Sequence, residues 1–264
     1  MNEALLGKSV LTGLWFIVFF AGERLVPAAT APKGRKGLVR LGTNAGLWAS
    51  LFVLSPIAVV PLIILASEAT LWTRPDWLTG WSGLAIDLIM LDLFAYALHR
   101  AYHEVPLLWR FHAPHHYDHH LDATSAFRFH PGEVLISGGF RALLVFALAT
   151  PVSSILIFDT ILLMAAIFHH SNIRMPRRFE AALSSVWITP QLHWTHHHAV
   201  RADTDTNYGI TLTLWDRMFG SYNPRPRDPE QITGVEGEGE RSFLRLIAEP
   251  FLPKRTAPTP EAAQ

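Results

Sequence analysis

The sequence predicts an all-α protein: a multi-span integral-membrane helical bundle with a histidine-rich helical cap that holds a dinuclear metal site on the cytoplasmic side. Three observations carry this expectation. Half of the 264 residues are hydrophobic and only 17% are charged, against roughly 25% charge in soluble domains. The apolar residues gather into runs long enough to cross a bilayer. All 14 histidines fall between residues 99 and 198, in short groups beside those runs.

The elements follow in order. Residues 9–22 open a first apolar segment that ends near Glu23 to Pro27; at about 18 residues it just suffices to span. Residues 28–40 read as a polar loop with Lys33, Arg35, Lys36 and Arg40. A longer apolar run covers 45–66, with Pro56 and Pro61 as expected kinks. A turn-rich link at 67–80 leads to a third segment, 81–98, which carries Asp87 and Asp92 and runs straight into His99. Residues 104–132 are polar, and Pro114 inside them predicts a helix start near His115 rather than a continuous helix. The stretches 133–150 and 152–168 meet at Pro151 as a helical hairpin, either spanning or re-entrant, for roughly four full spans in all. Residues 1–230 read as one domain, and 231–264, rich in Gly, Glu and Pro, as a partly disordered tail.

Orientation follows from charge. The four cations after the first span place that loop in the cytoplasm. Alternating from there brings His99, His170 and the Arg174, Arg177 and Arg178 cations to the same face. Lys8 precedes an apolar run with no small-residue cleavage site after it, so no signal peptide is expected.

Composition excludes several classes. Net charge is zero, which offers no electrostatic footprint for nucleic acid. Cysteine is absent, so disulfides, thiolate metal sites, Fe–S clusters and a cysteine nucleophile are excluded together. A metal here must sit on histidine and carboxylate.

The histidines are patterned for that. His99 and His103 form H-x-x-x-H. His112, His115 and His116 form H-x-x-H-H, repeated by His193, His196 and His197. Residues three and four apart share a helical face, so each group is expected to aim its imidazoles at a common point. Imidazole is the usual ligand of iron, zinc, copper and nickel. Eight such rings exceed the four that one tetrahedral ion takes, which predicts two ions.

Other residues keep two readings. Asp92 either orients a ligand histidine or makes a helix–helix hydrogen bond. His119 and His120 are expected to face solvent, and His198 to point elsewhere. His130 reads equally as a structural residue or a ligand, and at least one of His169 and His170 should reach the cluster. Asp203, Asp205, Asn207 and Tyr208 could orient histidines or shape the site. A low-complexity histidine buffer does not repeat a spaced motif beside membrane segments.

Taken together, these segments resemble the fatty acid hydroxylase superfamily, which includes sterol desaturases and sterol methyl oxidases. The resemblance runs from about residue 85 to 222. It rests on Asp92, Tyr96, His99, Arg100 and His103, on Leu108 through His112 to His116, and on Arg128-Phe-His-Pro131. His170-Ser-Asn172, Thr189-Pro190 with His193, His196 and His197, Asp205 with Asn207-Tyr-Gly209, and Trp215-Asp-Arg217 continue it. It implies two iron ions, O2 as co-substrate, and hydroxylation or desaturation of a lipid C–H bond. It also implies His130 and His170 as further ligands, with Asp92, Tyr96, Asn172, Asp205 and Asn207 around the ligand set. No Rossmann-type glycine motif is present, so electrons are expected from a separate donor, a ferredoxin or a b-type cytochrome with its reductase. The chain departs from the family pattern at Tyr117, His169 and His198 and in the histidine-rich Asp118-His-His120.

The rival expectations are a non-catalytic metal-binding or transport protein and a zinc hydrolase. A transporter places its ligands near mid-membrane, whereas these lie at segment ends. The hydrolase motif fails because His103-Glu104 is followed by Leu107 rather than a second histidine.

Overall fold

The computed structural model describes residues 2–253, whose regular structure is all helical, with isolated β-bridges and no sheet. The helices are α1 (Asn2–Leu25), α2 (Gly34–Glu68), α3 (Gly80–Glu104), α4 (Pro106–His116), α5 (Pro131–Leu148) and α6 (Val152–His170). Short helices follow: α7 (Arg177–Leu183), α8 (Pro190–His196), α9 (Arg201–Thr204), α10 (Leu214–Met218) and α11 (Phe243–Ala248).

Five helices, α1, α2, α3, α5 and α6, are long and apolar enough to cross a membrane, one more than the sequence count. Both arms of the 133–168 hairpin reach that length. Their outer faces stay apolar and exposed, as at Ile17, Phe52, Ile57, Ile89 and Leu143, which is how a chain solvated by lipid differs from one solvated by water. The chain is a multi-pass membrane protein.

The second helix begins at Gly34, not near 45, so Arg35, Lys36 and Arg40 are helical rather than in a loop. Arg40 is buried, and a buried guanidinium needs a full set of acceptors. Its Nε and Nη2 donate to Asp118 at 2.6 and 2.9 Å, and its Nη1 donates to Asp122 at 2.7 Å. Pro56 and Pro61 do not break α2; a π-turn at Ser55–Val59 absorbs the missing donors.

One end of the bundle is tied by Arg74, which pairs with Asp87 of α3 at 2.9 Å, while Ser154 of α6 donates to the same carboxylate at 2.7 Å. The opposite end gathers the C-termini of α1, α3 and α6 and the N-termini of α2 and α5. All the short helices pack there.

The described part of the segment after residue 230 takes part in this packing. Leu246 of α11 is fully buried with Leu47, Ala113 and Tyr117. The Gly234 amide donates to the His197 carbonyl at 3.1 Å. The remaining residues of the expected tail, 254–264, lie outside the described part. A few apolar residues in this otherwise polar stretch, Leu246 with Phe243 and Ile247, do the anchoring.

Candidate metal centre

Helix α4 is continuous through Pro114, against expectation. Proline stands in its last turn, and Pro106 stands at its first position, where no amide donor is needed. The continuous helix gives His112, His115 and His116 fixed directions, but not a common one. His112 and His116, four apart, point one way and His115 the other. In and after α8, His193 and His197 share a direction and His196 takes the other.

Two groups result. His99, His103, His112, His116 and His196 bring ligand atoms within 4.8 Å of one another, as do His115, His170, His193 and His197. Each H-x-x-H-H therefore divides two and one between the groups, correcting the expectation of one aim per motif. The groups abut, with the His116 and His197 rings stacked at 4.2 Å between centroids. All nine rings are buried.

The second ring nitrogens reveal the tautomers. Nδ1 of His99 donates to the Tyr208 carbonyl at 2.8 Å and that of His196 to the Thr206 carbonyl at 2.8 Å. His115 donates to the Arg128 carbonyl at 3.2 Å and His170 to the Ala166 carbonyl at 2.7 Å. His112 donates to Glu133 Oε1 at 2.8 Å. Carbonyl and carboxylate oxygens only accept, so Nδ1 carries the proton and Nε2 presents a bare lone pair.

Those lone pairs face one another. Nε2 of His99 lies 3.2 Å from Nε2 of His112, and Nε2 of His170 lies 3.1 Å from that of His115. Two lone pairs at that distance repel. Nε2 of His103, His116 and His196 is also buried without a hydrogen-bond partner, a costly state for a polar atom. A cation in each group relieves both, so the residues fit a pair of metal ions. Burial likewise keeps the rings neutral, as ligation requires: it pushes His112 down to about 3 and His115, His116, His193, His196 and His197 well below the ordinary imidazole value.

A pH prediction follows for metal-free protein. Imidazoles whose pKa is lower folded than unfolded stabilise the fold above the unfolded value, and that contribution is lost as pH falls below about 6.5. Thermal unfolding of chelator-treated protein should drop steeply between neutrality and mild acid. A flat profile would contradict the neutral-ring arrangement.

Several expected residues sit elsewhere. His130 joins neither group: its Nδ1 accepts from the Gly132 amide at 2.8 Å as the N-cap of α5, and its Nε2 donates to the Ile247 carbonyl at 3.0 Å. His130→Ala should therefore cost about 1 kcal/mol of stability and leave metal content unchanged; loss of one metal ion per chain would refute this placement. Asp92 touches no histidine. It accepts from Thr211 and from Trp215 Nε1, the latter at 2.8 Å, so it makes the interhelical bond of the two readings. Tyr96 bonds to Ser221 at 2.9 Å. Asn172 makes paired bonds with the Ala29 backbone, both 2.8 Å. His120 is buried rather than solvent-facing, and His198 turns away to Asp203 at 2.7 Å. His169 lies against His193, with ring centroids 3.9 Å apart.

Asp205 and Asn207 do bear on the site. Asp205 Oδ1 lies 3.4 Å from His103 Nδ1. Asn207 adopts a left-handed φ of 54° and donates to the carbonyls of Leu192 and Asn223 at 3.1 and 2.9 Å. That holds its neighbours Thr206 and Tyr208, whose carbonyls orient His196 and His99. Asp216 completes the clamp by accepting from the amides of Tyr208 and Gly209 at 2.8 and 2.9 Å.

Glu133 was missed as a partner. Its place in the first turn of α5, three residues after His130, was the available signal. The orienting carbonyls had none, since backbone atoms carry no residue type. Glu133→Ala removes the acceptor that orients His112, so metal affinity should fall about 10- to 100-fold, measurable by competition with a chelator; unchanged affinity would remove Glu133 from the site.

Fold and site together define a multi-pass helical membrane protein with paired polyhistidine groups, each able to hold a metal ion. The chain belongs to the fatty acid hydroxylase family, whose model matches residues 84–221. It is 28% identical over 257 residues to an ornithine lipid hydroxylase of Rhizobium tropici, covering 90% of this chain and 76% of that one. It is 26% identical to the lathosterol oxidase of Rattus norvegicus, over 66% of this chain and 55% of that one. It is also 31% identical to the alkylglycerol monooxygenase of Xenopus tropicalis, over 58% of this chain and 32% of that one. The chain thus spans only about half or less of the length of the last two. No solved structure matches it.

Proposed function

We propose that this chain is an O2-dependent membrane oxidoreductase that hydroxylates or desaturates a C–H bond of a lipid at a non-haem di-iron centre. The observation that carries the reading is the set of opposed, bare Nε2 atoms in two abutting groups. The three relatives, which act by name on an ornithine lipid, a sterol and an alkylglycerol, support a lipid substrate.

His99, His103, His112, His116 and His196 would hold one iron, and His115, His170, His193 and His197 the other. When bound, the pair would supply the activation of O2 that an unactivated C–H bond demands. In hydroxylation one oxygen atom enters the lipid and the other leaves as water. The balance needs two electrons and two protons, the electrons coming from a separate carrier such as a ferredoxin or a b-type cytochrome with its reductase.

The chain's own residues prepare that chemistry. The carbonyls of Ala166, Arg128, Thr206 and Tyr208 fix ring tautomers and planes. Glu133 Oε1 accepts from His112 and fixes the plane of that ring. Burial of all nine rings excludes bulk water. A polar cavity of ≈ 400 Å³ lined by Arg100, Glu104, Arg201 and Asp205 opens behind His103, and Asp205 stands where a proton could pass between solvent and His103.

The site faces the cytoplasm in this reading, because exposed Lys33, Arg35, Lys36, Arg174, Arg177 and Arg178 ring the same end of the bundle. The test combines iron content per chain with lipid extracts from cells with and without the protein, compared by mass. Two irons and an O2-dependent gain of one oxygen atom, or loss of two hydrogens, are expected. A fully loaded protein that changes no lipid would leave a metal-binding protein without this activity.

A further inference from the structure

The loop-and-helix lobe at residues 185–222 is drawn from the cap by sequence, yet it packs against the flank of a spanning helix. Trp215 Nε1 donates to Asp92 Oδ2 at 2.8 Å, and Thr211 hydrogen-bonds the other oxygen of the same carboxylate. Phe219 stacks on Tyr96, with centroids 5.5 Å apart and planes 19° apart. Leu93 packs on Tyr96, Tyr208 and Trp215.

The depth of these contacts can be read from the helices. Trp72, Trp77 and Trp81 are exposed at the end of the bundle away from the histidines, as an interfacial tryptophan belt would be. Counting from Trp81, a hydrocarbon core of about 30 Å takes about 20 residues of upright helix, which puts its other boundary near Ala101. A second helix agrees. The Ser154–Asp87 bond sets α6 and α3 side by side in the same direction, so Ala101 is level with Phe168, almost at the end of α6. Asp92 and Tyr96 then lie about 13 and 7 Å inside the core, at 1.5 Å per residue.

From this register we infer that the part of the lobe formed by residues 185–188 and 209–219 is sunk into the leaflet on the histidine side and presents its outer face to lipid acyl chains. Irregular backbone at that depth must satisfy its own polar groups, and this lobe does. Ile188 donates to the Thr211 carbonyl at 2.8 Å, Thr213 to Val186 at 3.0 Å, Phe219 to Trp215 at 2.9 Å and Ser221 to Asp216 at 2.8 Å. The Tyr208 and Gly209 amides end on the Asp216 carboxylate. The outer face is apolar: Val186 and Met218 are each 61% exposed, with Leu214 and Phe219 beside them. That face continues the lipid-facing side of α3 at Ile86 and Ile89. Arg217, stacked over Tyr222 at 3.8 Å, has the length to snorkel to the headgroups.

Because the chain lacks cysteine, the test needs no background substitutions. Leu214→Cys and Met218→Cys, spin-labelled in the full-length protein in phospholipid vesicles, would be compared with Leu143→Cys on the lipid face of α5 and Glu236→Cys in water. Accessibility to O2 and to a water-soluble nickel chelate is measured at each. The oxygen-to-nickel ratio at 214 and 218 should match that at 143 within about twofold and exceed that at 236 by about fivefold or more, since the chelate is excluded from hydrocarbon. Ratios like that at 236 would overturn the insertion, and so would labels shielded from both reagents, which would mean a protein rather than lipid neighbour. Unchanged metal content in each variant shows that the label has not disturbed the fold.

Discussion

Alanine at His196 or at His115 should lower turnover on the order of a thousandfold or more, about 4 kcal/mol of transition-state stabilisation, without loss of membrane insertion. The two substitutions strike different groups. His196 completes the five-ring group with His99, His103, His112 and His116, and His115 completes the four-ring group with His170, His193 and His197. Each variant should retain less than two metal ions per chain, whereas His198→Ala, whose ring turns to Asp203, should retain both. Metal content by elemental mass spectrometry and lipid oxidation in the same preparations make the comparison. Normal turnover in purified His196→Ala protein would refute its assignment as a ligand.

The second large effect is expected outside the metal groups, at Asp118→Ala. Asp118 accepts from Arg40 Nε and Nη2 and from Ser125 Oγ, the last at 2.8 Å. Burial alone opposes its ionisation, but Arg40 and Arg128 together hold the carboxyl below the usual carboxylate range. Removing it leaves the buried Arg40 guanidinium with Asp122 and Ser125 as its remaining acceptors, a change that costs about 3–5 kcal/mol. In the wild type the contribution is fully present above the ordinary carboxylate pKa and is lost as pH falls from there through the depressed folded value. Chemical or thermal unfolding in detergent reads the difference, and a loss under about 1 kcal/mol would mean that the network relaxes around the substitution. The network also reaches the metal centre: Arg128 donates to Asn44 at 2.8 Å and offers its own carbonyl to His115. Some loss of the four-ring group should therefore accompany the instability.

Much of this protein could be read before its fold. Runs of apolar residues announce spans because a bilayer of fixed thickness imposes a fixed length, and five helices of that kind are present. Histidine spacing announced clustered imidazoles for the same kind of reason, since helical geometry turns spacing into direction. Errors came where a residue's partner is far away in sequence. Arg40 looked like a loop cation because its acceptors lie about 80 positions later. His130 looked like its fellow histidines because nothing local shows that its ring caps a helix. Asp92 keeps two readings in the sequence because its partners, Thr211 and Trp215, come from a segment more than a hundred residues away.

By itself, then, the sequence determined composition-borne and period-borne properties: spanning helices, thiol-free ligand chemistry and family membership. Which ring joins which group was decided only in three dimensions. Adjacent residues on a helix diverge by about 100°, so His115 and His116, or His196 and His197, part company once α4 and α8 are brought face to face. The same holds for the orienting carbonyls of Arg128, Ala166, Thr206 and Tyr208. They are identical backbone groups in every residue, and only packing chooses the ones that meet a histidine.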